Sequence, residues 1–339
     1  MPRCAEERGT DRLARLTLEH MGNIEPIRGH RRSSRWTSVT YGVHRPTSPA
    51  RTGSYPSFWD EEDLAGWQLL LTNDGCFTGL TALEVWGVPL PPLPEDCPVF
   101  VALAKDDPRP MRTGVHTSRH VRPPAYAVVR GLRVAAVAEA LTATARWVCL
   151  VDLVALVDAS LYLGLVTMDE LVDMAGSRRP GGRQLRSALA FVDGRAQSLW
   201  ETLLRLLHVV CDIEVEPQWI LADEDGVVIA EADLWVCGTT ALHEYDGDEH
   251  ESATRRVTDR RRDRRIDRRG FVRRGYTSGD VIHRAVTILE DADRAIGRPH
   301  DPTRIRGWHE LLRDSLFTPA GRTAVLSRIP PAPPRRRTA

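Results

Sequence analysis

Three acidic side chains lie on two neighbouring predicted strands in the C-terminal half of the chain. Asp233 is in the segment ADLWV, and Glu244 and Asp246 are in the segment HEYDG. Side chains alternate between the two faces of a strand, so Glu244 and Asp246 share one face, while His243 and Tyr245 pack on the other. Two carboxylates beside a third on the next strand either bind a divalent cation or repel one another. Hard cations such as Mg²⁺ take oxygen ligands of this kind.

Each of these acids also has a purely structural interpretation. An unpaired buried carboxylate is costly, so Asp233 on its apolar strand could pair with an arginine of the following helix. Glu244 and Asp246 could instead line a solvent-facing side of their strand. A fourth acid, Glu201, opens an amphipathic helix three residues after Ser198, which is the spacing of a capping box.

The segment that follows the acids is rich in arginine. Residues 254–275 hold eleven arginines and three aspartates, and the aspartates (Asp259, Asp263 and Asp267) recur at every fourth position. The pattern predicts a helix that Gly270 ends. This helix is either a solvated surface held by Arg–Asp pairs or a phosphate-binding face beside the acids. In the second interpretation, the arginines expected to contact nucleic acid are Arg255, Arg256, Arg260 and Arg264.

From residue 197 onward, the elements that must position these residues are predicted to be a helix, three strands, a helix and a strand. ETLLRLLHVV has the pattern of an amphipathic helix, and DEDG is a turn between the first two strands. The strands are predicted from QWILAD, VVIAEADLWV, ALHEYD and, after the arginine-rich helix, FVRRGYT. Two further helices are predicted over residues 279–296 and 302–316.

The first part of the chain predicts a mixture of helices and strands. Helical patterns cover residues 58–72, 78–87 and, as a long apolar region, 134–164. Strands are predicted at Trp36–Pro46, at VFVALA, and around Val115 and Leu132. A capping box at Thr167–Glu170 opens another helix, and a later helix ends near Val192.

The order of the C-terminal elements, with acids at these points, resembles the PD-(D/E)XK nuclease superfamily. More narrowly, the segment from Glu244 to His250 is similar to the E-x-D-G-x-x-H segment of proteins related to very-short-patch-repair endonucleases. The resemblance covers roughly residues 195–280 and implies a restriction-endonuclease-like core that hydrolyses DNA phosphodiester bonds. It implies that Asp233 and Glu244 hold Mg²⁺ or Mn²⁺, and that Glu201 contacts a metal-bound water or a second ion.

The chain departs from the usual acid-x-Lys pattern of that superfamily, because Asp246 stands at the lysine position. Relatives in the narrower family share an acid there. Lys105 is the only lysine among the 46 Lys and Arg residues, so a catalytic lysine would have to be Lys105. We therefore expect His250, or Arg255 or Arg256, to supply the missing positive or proton-transferring group. Histidine can transfer a proton near neutral pH, whereas arginine stays protonated.

A second resemblance concerns residues 36–140. The segments VTYGVHR and LTALEVWGVPLP resemble the N-terminal region of abortive-infection-type antitoxins, which implies a winged helix in this region. The weak pattern of residues 1–56 leaves open whether they form it or stay loose.

The composition is that of a globular protein, with 42% hydrophobic and 27% charged residues and a net charge of zero. Its six cysteines form no Cys-x-x-Cys pair, which indicates reduced thiols in a cytoplasmic protein. The charged N-terminus lacks the apolar run of a signal peptide. Asp152 and Asp158 interrupt the most apolar stretch, Trp147 to Val166, which therefore predicts a buried helix rather than a membrane span. We expect no membrane partner and no small-molecule cofactor, and the sequence leaves the oligomeric state open.

Together these observations predict an α/β protein that is mixed α+β overall. The expected domains are a poorly patterned segment 1–56, an α+β antitoxin-like domain 57–194, a nuclease-like domain 195–325 and a disordered tail 326–339. Three functions remain open: a metal-dependent DNA endonuclease, a non-catalytic DNA-binding or antitoxin-like regulator that keeps the nuclease fold, and an interaction protein whose acidic cluster is a relic.

Overall fold

The computed structural model describes residues 26–28, 36–47, 57–108, 110, 112–247 and 262–330. The chain divides into two compact units. The first comprises Met1–Val148, Leu163–Ser187 and Arg322–Ala339, and the second comprises Cys149–Tyr162 and Ala188–Gly321. Within the described residues, each unit contains helices and a mixed sheet, so the expectation of a mixed α+β protein is confirmed.

The strands β1 to β12 are Ile27–Arg28, Trp36–Thr40, Val43–Pro46, Cys76–Phe77, Val99–Ala104, Val115–His120, Tyr126–Val129, Leu132–Ala135, Val215–Ala222, Val228–Val236, Ala241–Tyr245 and Val272–Tyr276. The helices α1 to α12 are Glu61–Gln68, Gly79–Val85, Val137–Thr144, Leu150–Tyr162, Met168–Gly176, Gly182–Leu189, Leu199–Val210, 262–267, Ser278–His283, Ala285–Ile296, Arg306–Leu312 and Pro319–Arg328. A short 3₁₀ helix, Pro302–Ile305, precedes α11.

The first unit contains a three-stranded sheet, ordered β1-β3-β2, and a five-stranded mixed sheet, ordered β6-β5-β4-β8-β7. The single strand predicted over Trp36–Pro46 is a hairpin instead, because Gly42 adopts a φ of 74° between β2 and β3. Much of the segment in which a winged helix was implied, residues 1–25, 29–35 and 48–56, lies outside the described residues.

The apolar region predicted as one helix over residues 134–164 is two helices, α3 and α4. Residues 132–135 are already strand β8, and the chain turns between Thr144 and Leu150. The N–H of Trp147 donates to the carbonyl of Thr144 in this turn (2.9 Å). Because the sequence is apolar on both sides of the turn, hydrophobic periodicity carries no signal for the break.

Helix α4 belongs to the second unit, whereas the sequence boundary at residue 195 placed it in the preceding domain. Its two aspartates explain the difference. Asp158 is fully buried and accepts hydrogen bonds from Arg205 Nη2 (2.9 Å) and Thr202 Oγ1 (3.0 Å) of α7. Asp152, also fully buried, accepts one from Ser315 Oγ (2.6 Å). Because both carboxylates accept hydrogen bonds, the apolar helix α4 can be buried on both sides. The sequence predicted a buried helix for this segment.

The second unit is built on a four-stranded mixed sheet, ordered β12-β11-β10-β9, in which only the β11–β12 pair is parallel. Helix α7 precedes the sheet and α8 connects β11 to β12, so the predicted order of helix, three strands, helix and strand is confirmed. Ile266 of α8 packs in one apolar cluster with Leu242 of β11. His208 of α7 bonds His243 on the other face of β11. The sheet therefore lies between α7 and α8.

Two predicted elements near the C-terminus differ in extent. The helix predicted over residues 279–296 is divided at Arg284 into α9 and α10, and α11 ends at Leu312 rather than near 316. Helix α12 extends to Arg328 and so overlaps the predicted disordered tail, whose last residues, 331–339, lie outside the described residues.

None of the helices in the described parts of the chain has the length and apolar character needed to cross a bilayer. The five cysteines within those parts are free thiols, in agreement with the sequence prediction.

Candidate active site

Glu201 lies in the first turn of α7, where it has a structural role. Its N–H donates to Oγ of the N-cap residue Ser198 (3.2 Å), and its Oε2 accepts hydrogen bonds from the Gln197 N–H (2.8 Å) and from Gln218 Nε2 (2.8 Å). Burial raises the pKa of Glu201, and the charge of Glu231 raises it further. The capping interpretation of this acid is therefore correct in part: the carboxylate closes the start of the helix, through Gln197 rather than Ser198.

Asp233 and Glu244 lie where β10 and β11 stop pairing. The last paired residues of this antiparallel ladder are Leu234 and His243. Two residues further along β11, the Tyr245 N–H donates to Oδ2 of Asp233 (2.7 Å). The side chain of Asp233 thus binds the neighbouring backbone at the end of the ladder, and this holds Asp233 and Glu244 at the same end of the sheet.

Negative charge accumulates around Asp233. Burial raises the pKa of this carboxyl to about 7, with contributions from the charges of Glu201 and Glu244, while the Tyr245 hydrogen bond and the charge of Arg262 oppose the rise. Oδ1 of Asp233 accepts no hydrogen bond from any of the described residues. The acids of α7 and β11 are thus close enough to alter the protonation of Asp233 on β10.

Glu244 is buried, with 4% of its surface exposed, and each of its oxygens is paired with an arginine. Arg262 Nη2 of α8 donates to Oε1 (2.9 Å), and Arg273 Nε of β12 donates to Oε2 (2.5 Å). The solvent-facing interpretation of Glu244 is therefore wrong. The ion pair with the arginine-rich segment, which the sequence suggested for Asp233, is made by Glu244 instead.

Asp246 is exposed at the end of β11 and shares an arginine with Glu244. Arg273 Nη2 donates to Oδ1 of Asp246 (2.8 Å). Its other oxygen lies directly over Gly275 of β12, where an added Cβ would come within 1.6 Å of it. A guanidinium from the neighbouring parallel strand therefore lies between Glu244 and Asp246, beside the position at which the sequence lacks a lysine.

Several predicted nucleic-acid contacts cannot be placed relative to these acids. Arg264 is exposed on α8, and the turn that follows the helix contains Gly270 with a φ of 77°, the helix-ending glycine that the sequence predicted. Four of the predicted site residues lie outside the described part of the chain, namely His250, Arg255, Arg256 and Arg260. Their proposed roles stay predictions.

Sequence reasoning counted Arg262 and Arg273 among the arginines but did not select them. The sequence did contain a signal for Arg273. This arginine precedes Gly275 by two residues on a predicted strand, so the two residues lie on the same face of that strand. Recognising the contact also required the parallel register of β11 and β12, which pairs Glu244 with Gly275. That register depends on the path of the entire segment that joins β11 to β12 through α8.

The opposite face of β11 packs as predicted. His243 is buried, and its Nδ1 lies 2.9 Å from Nε2 of His208. The Tyr245 ring stacks on Trp200, with the ring centroids 5.5 Å apart and 10° between the planes. These contacts anchor β11 on α7 and so fix where Glu244 points.

Comparison of the chain with protein-family models, with curated proteins and with solved structures finds no match. In the described parts of the chain, no group of three or more His, Cys, Asp or Glu side chains is arranged to hold a metal ion. The donor chemistry at Asp233 nevertheless suits a hard cation, because its Oδ1 accepts no hydrogen bond from the described residues and lies in a region of excess negative charge.

Proposed function

We propose that the second unit is a nuclease-like domain that hydrolyses DNA phosphodiester bonds with Mg²⁺ or Mn²⁺. The observation that carries the proposal is the raised pKa of Asp233, which results from burial beside two further carboxylates. A divalent cation is the ligand that best relieves such an arrangement. The order of helix, three strands, helix and strand, with one parallel pair, supports the resemblance to the PD-(D/E)XK superfamily.

In this proposal, Asp233 and Glu244 hold the metal ion, which when bound supplies polarisation of a phosphoryl oxygen and a more acidic water. Asp233 presents its Oδ1, to which none of the described residues donates a hydrogen bond, and the Tyr245 N–H fixes the orientation of the carboxylate. Arg273 keeps its proton and balances the charges of Glu244 and Asp246. It orients these acids but transfers no proton.

Glu244 becomes a metal ligand only if one of its two guanidinium partners withdraws, since both oxygens are engaged. Arg262 is the partner that we propose to withdraw. Its side chain is 31% exposed, compared with 27% for that of Arg273, and Arg273 is held further by its ion pair with Asp246. Its guanidinium also contacts the carbonyl of Glu231, at the edge of the site. An incoming DNA phosphate would offer Arg262 a bidentate partner and leave Glu244 Oε1 for the metal.

A second candidate function follows from the same pairs. If Arg262 and Arg273 stay on Glu244, the cluster is a buried structural ion-pair network, and the second unit binds DNA phosphates through its exposed arginines without cleaving them. This is the non-catalytic DNA-binding or antitoxin-like regulator.

Nicking of supercoiled plasmid with Mg²⁺ or Mn²⁺ separates the two candidates. We expect nicking by the wild type and by Asp225→Asn, a control in the exposed turn before β10, and a loss of about hundredfold in Asp233→Asn. Salt-sensitive DNA binding without nicking in either metal would support the second candidate. Equal nicking by Asp233→Asn would contradict Asp233 as the centre of the site.

Calorimetric titration with Mn²⁺ tests the ligands directly. We expect Glu244→Ala and Asp233→Asn both to lose the binding that wild type and Asp225→Asn show. Binding that is unchanged in Glu244→Ala would remove Glu244 as a ligand.

A further inference from the structure

The first unit contains a polar cavity of about 60 Å³ that the function proposed for the second unit does not use. It lies between β6, α3 and the chain that enters α6. The charged and titratable residues that line this cavity are Arg119, His120, Glu139, Arg146 and Arg179. The buried hydroxyl residues Thr78, Ser118 and Thr142 complete the wall.

Positive charge exceeds negative charge in this cavity. Among the described residues, Glu139 is the only carboxylate in the lining, and it pairs with Arg179 (2.9 Å). Arg119 lies on the face of β6 opposite to Ser118 and His120, and its Nη2 donates to the carbonyl of Asp107 (3.2 Å), so its guanidinium is engaged on the other side of the strand. The guanidinium charge of Arg146 is therefore left without an acid from the described residues.

Arg146 is held by an aromatic ring rather than by an acid. Its guanidinium carbon lies 4.5 Å from the centre of the Trp147 ring, a cation–π distance. This contact orients the guanidinium and leaves its N–H groups to donate to a ligand. An orienting ring beneath a guanidinium is a common way to preorganise an anion site.

His120 provides an independent sign of a missing ligand. Its Nε2 is buried and has no hydrogen-bond partner from the described residues. Burial lowers the pKa of this imidazole, and the charges of Arg179 and Arg146 lower it further. A buried ring nitrogen without a partner is costly, and a ligand oxygen in the cavity would satisfy it through a donated Nε2–H.

The cavity wall is rigid at the side of α6. Gly181 adopts a φ of 102°, and an added Cβ would come within 1.9 Å of the Thr142 carbonyl. The backbone beside Arg179 therefore packs directly on α3, and only glycine fits at this position. Arg179 and His120 are thus held in place on a preformed wall.

We propose that this cavity binds a single tetrahedral oxyanion, either free inorganic phosphate or the terminal phosphate of a nucleotide. The guanidinium groups of Arg146 and Arg179 and the Nε2 of His120 supply the donors, and arginine matches phosphate oxygens in bidentate geometry. A volume of about 60 Å³ holds only a few water-sized groups, so the phosphate is enclosed and a nucleoside attached to it stays outside.

Calorimetric titration of the full chain at low salt tests the proposal, with inorganic phosphate, AMP and adenosine as the three titrants. We expect phosphate, AMP or both to bind and adenosine not to bind. A free ion as the natural ligand predicts that phosphate binds at least as tightly as AMP, and a nucleotide predicts the reverse order. Absence of binding by both phosphate and AMP would overturn the proposal.

Charge variants of opposite sign make the test specific. Arg146→Gln should weaken binding about tenfold or more, because charge-assisted hydrogen bonds are lost. Glu139→Gln removes the only carboxylate of the lining and should strengthen binding. Arg183→Gln, an exposed arginine of α6 outside the cavity, should leave it unchanged. Weaker binding in Glu139→Gln, or an equal loss in Arg183→Gln and Arg146→Gln, would contradict the site. If Arg146→Gln fails to fold, the Glu139 and Arg183 variants still test whether the anion binds in this cavity.

Discussion

Replacing Asp233 with asparagine should stabilise the second unit, and more strongly at high pH than at low pH. The folded protein raises the pKa of Asp233 from an ordinary value of 3.8 to about 7. A carboxyl whose folded pKa is raised binds its proton more tightly in the folded state. Ionisation therefore costs stability above the unfolded pKa, and the cost is complete above the folded pKa.

The size of the effect follows from this shift. Each pKa unit corresponds to about 1.4 kcal/mol, so the raised pKa of Asp233 costs the folded state about 1.5 kcal/mol at pH 5, where only the unfolded carboxyl is ionised, and about 4 kcal/mol at pH 8, where the folded one is ionised too. Asparagine has nearly the same shape, and its Oδ1 can still accept the Tyr245 N–H. It carries no charge, so the stabilisation of Asp233→Asn should increase by about 2–3 kcal/mol between pH 5 and pH 8.

Hydrogen exchange of the full chain, followed by mass spectrometry of peptides from β10 and β11, reports the stability of the second unit alone. This matters because a chain of two units need not unfold in one transition. Asp225→Asn is the matched control and should show no pH-dependent difference. Equal stability differences at pH 5 and pH 8, or destabilisation by Asp233→Asn at pH 8, would refute the reasoning that repulsion and burial act on this carboxyl.

Three further predictions concern buried polar groups of the second unit. Glu244→Gln should destabilise it by about 2 kcal/mol, because Arg262 and Arg273 each lose an ion pair with a buried acid, while Arg273 keeps its pair with Asp246; urea denaturation of β10 and β11 measured by exchange would show it. Asp158→Asn should cost about 3 kcal/mol in the same assay, since Arg205 would keep a buried charge without the carboxylate that it now pairs with. Burial lowers the pKa of His208 to about 4, so this residue alone should reduce stability by about 2 kcal/mol between pH 7 and pH 5, and His208→Gln should remove most of that reduction. Because the raised pKa of Asp233 acts in the opposite direction over this range, the test is the difference between wild type and His208→Gln, and a difference that is the same at pH 7 and pH 5 would contradict the last prediction.

The order of elements in the second unit was predictable because each segment carries its own local pattern. Alternation marks β10 and β11, the capping residue Ser198 marks the start of α7, and Gly270 marks the end of α8. Neighbouring antiparallel strands also made it predictable that Asp233 and Glu244 lie near one another. These features depend on short stretches of sequence and on hairpin connections.

The partners of Glu244 were not predictable in the same way. Arg273 reaches it only because β12 pairs in parallel with β11 after a connection of more than twenty residues. Arginine is so frequent between residues 254 and 275 that composition does not distinguish one arginine from another. Gly275 has no Cβ, and the space that this leaves accommodates the carboxylate of Asp246. This contact likewise depends on the register of two strands that are distant in sequence.

The two candidate functions differ in what happens to the charge of Asp233. Arg273 stays protonated, because the charges of Glu244 and Asp246 outweigh burial and raise its pKa, so the group that titrates near neutral pH is Asp233. A bound divalent cation would lower the pKa of Asp233 and remove the contribution of this residue to the pH dependence of stability between pH 5 and pH 8. Without a cation, an approaching DNA phosphate favours protonated Asp233, so DNA affinity should fall as the pH rises through about 7. Measuring DNA affinity against pH, with Mg²⁺ and with a chelator, distinguishes these cases. A pH dependence that is the same in both conditions would contradict metal binding at Asp233, and its persistence in Asp233→Asn would assign it to another group.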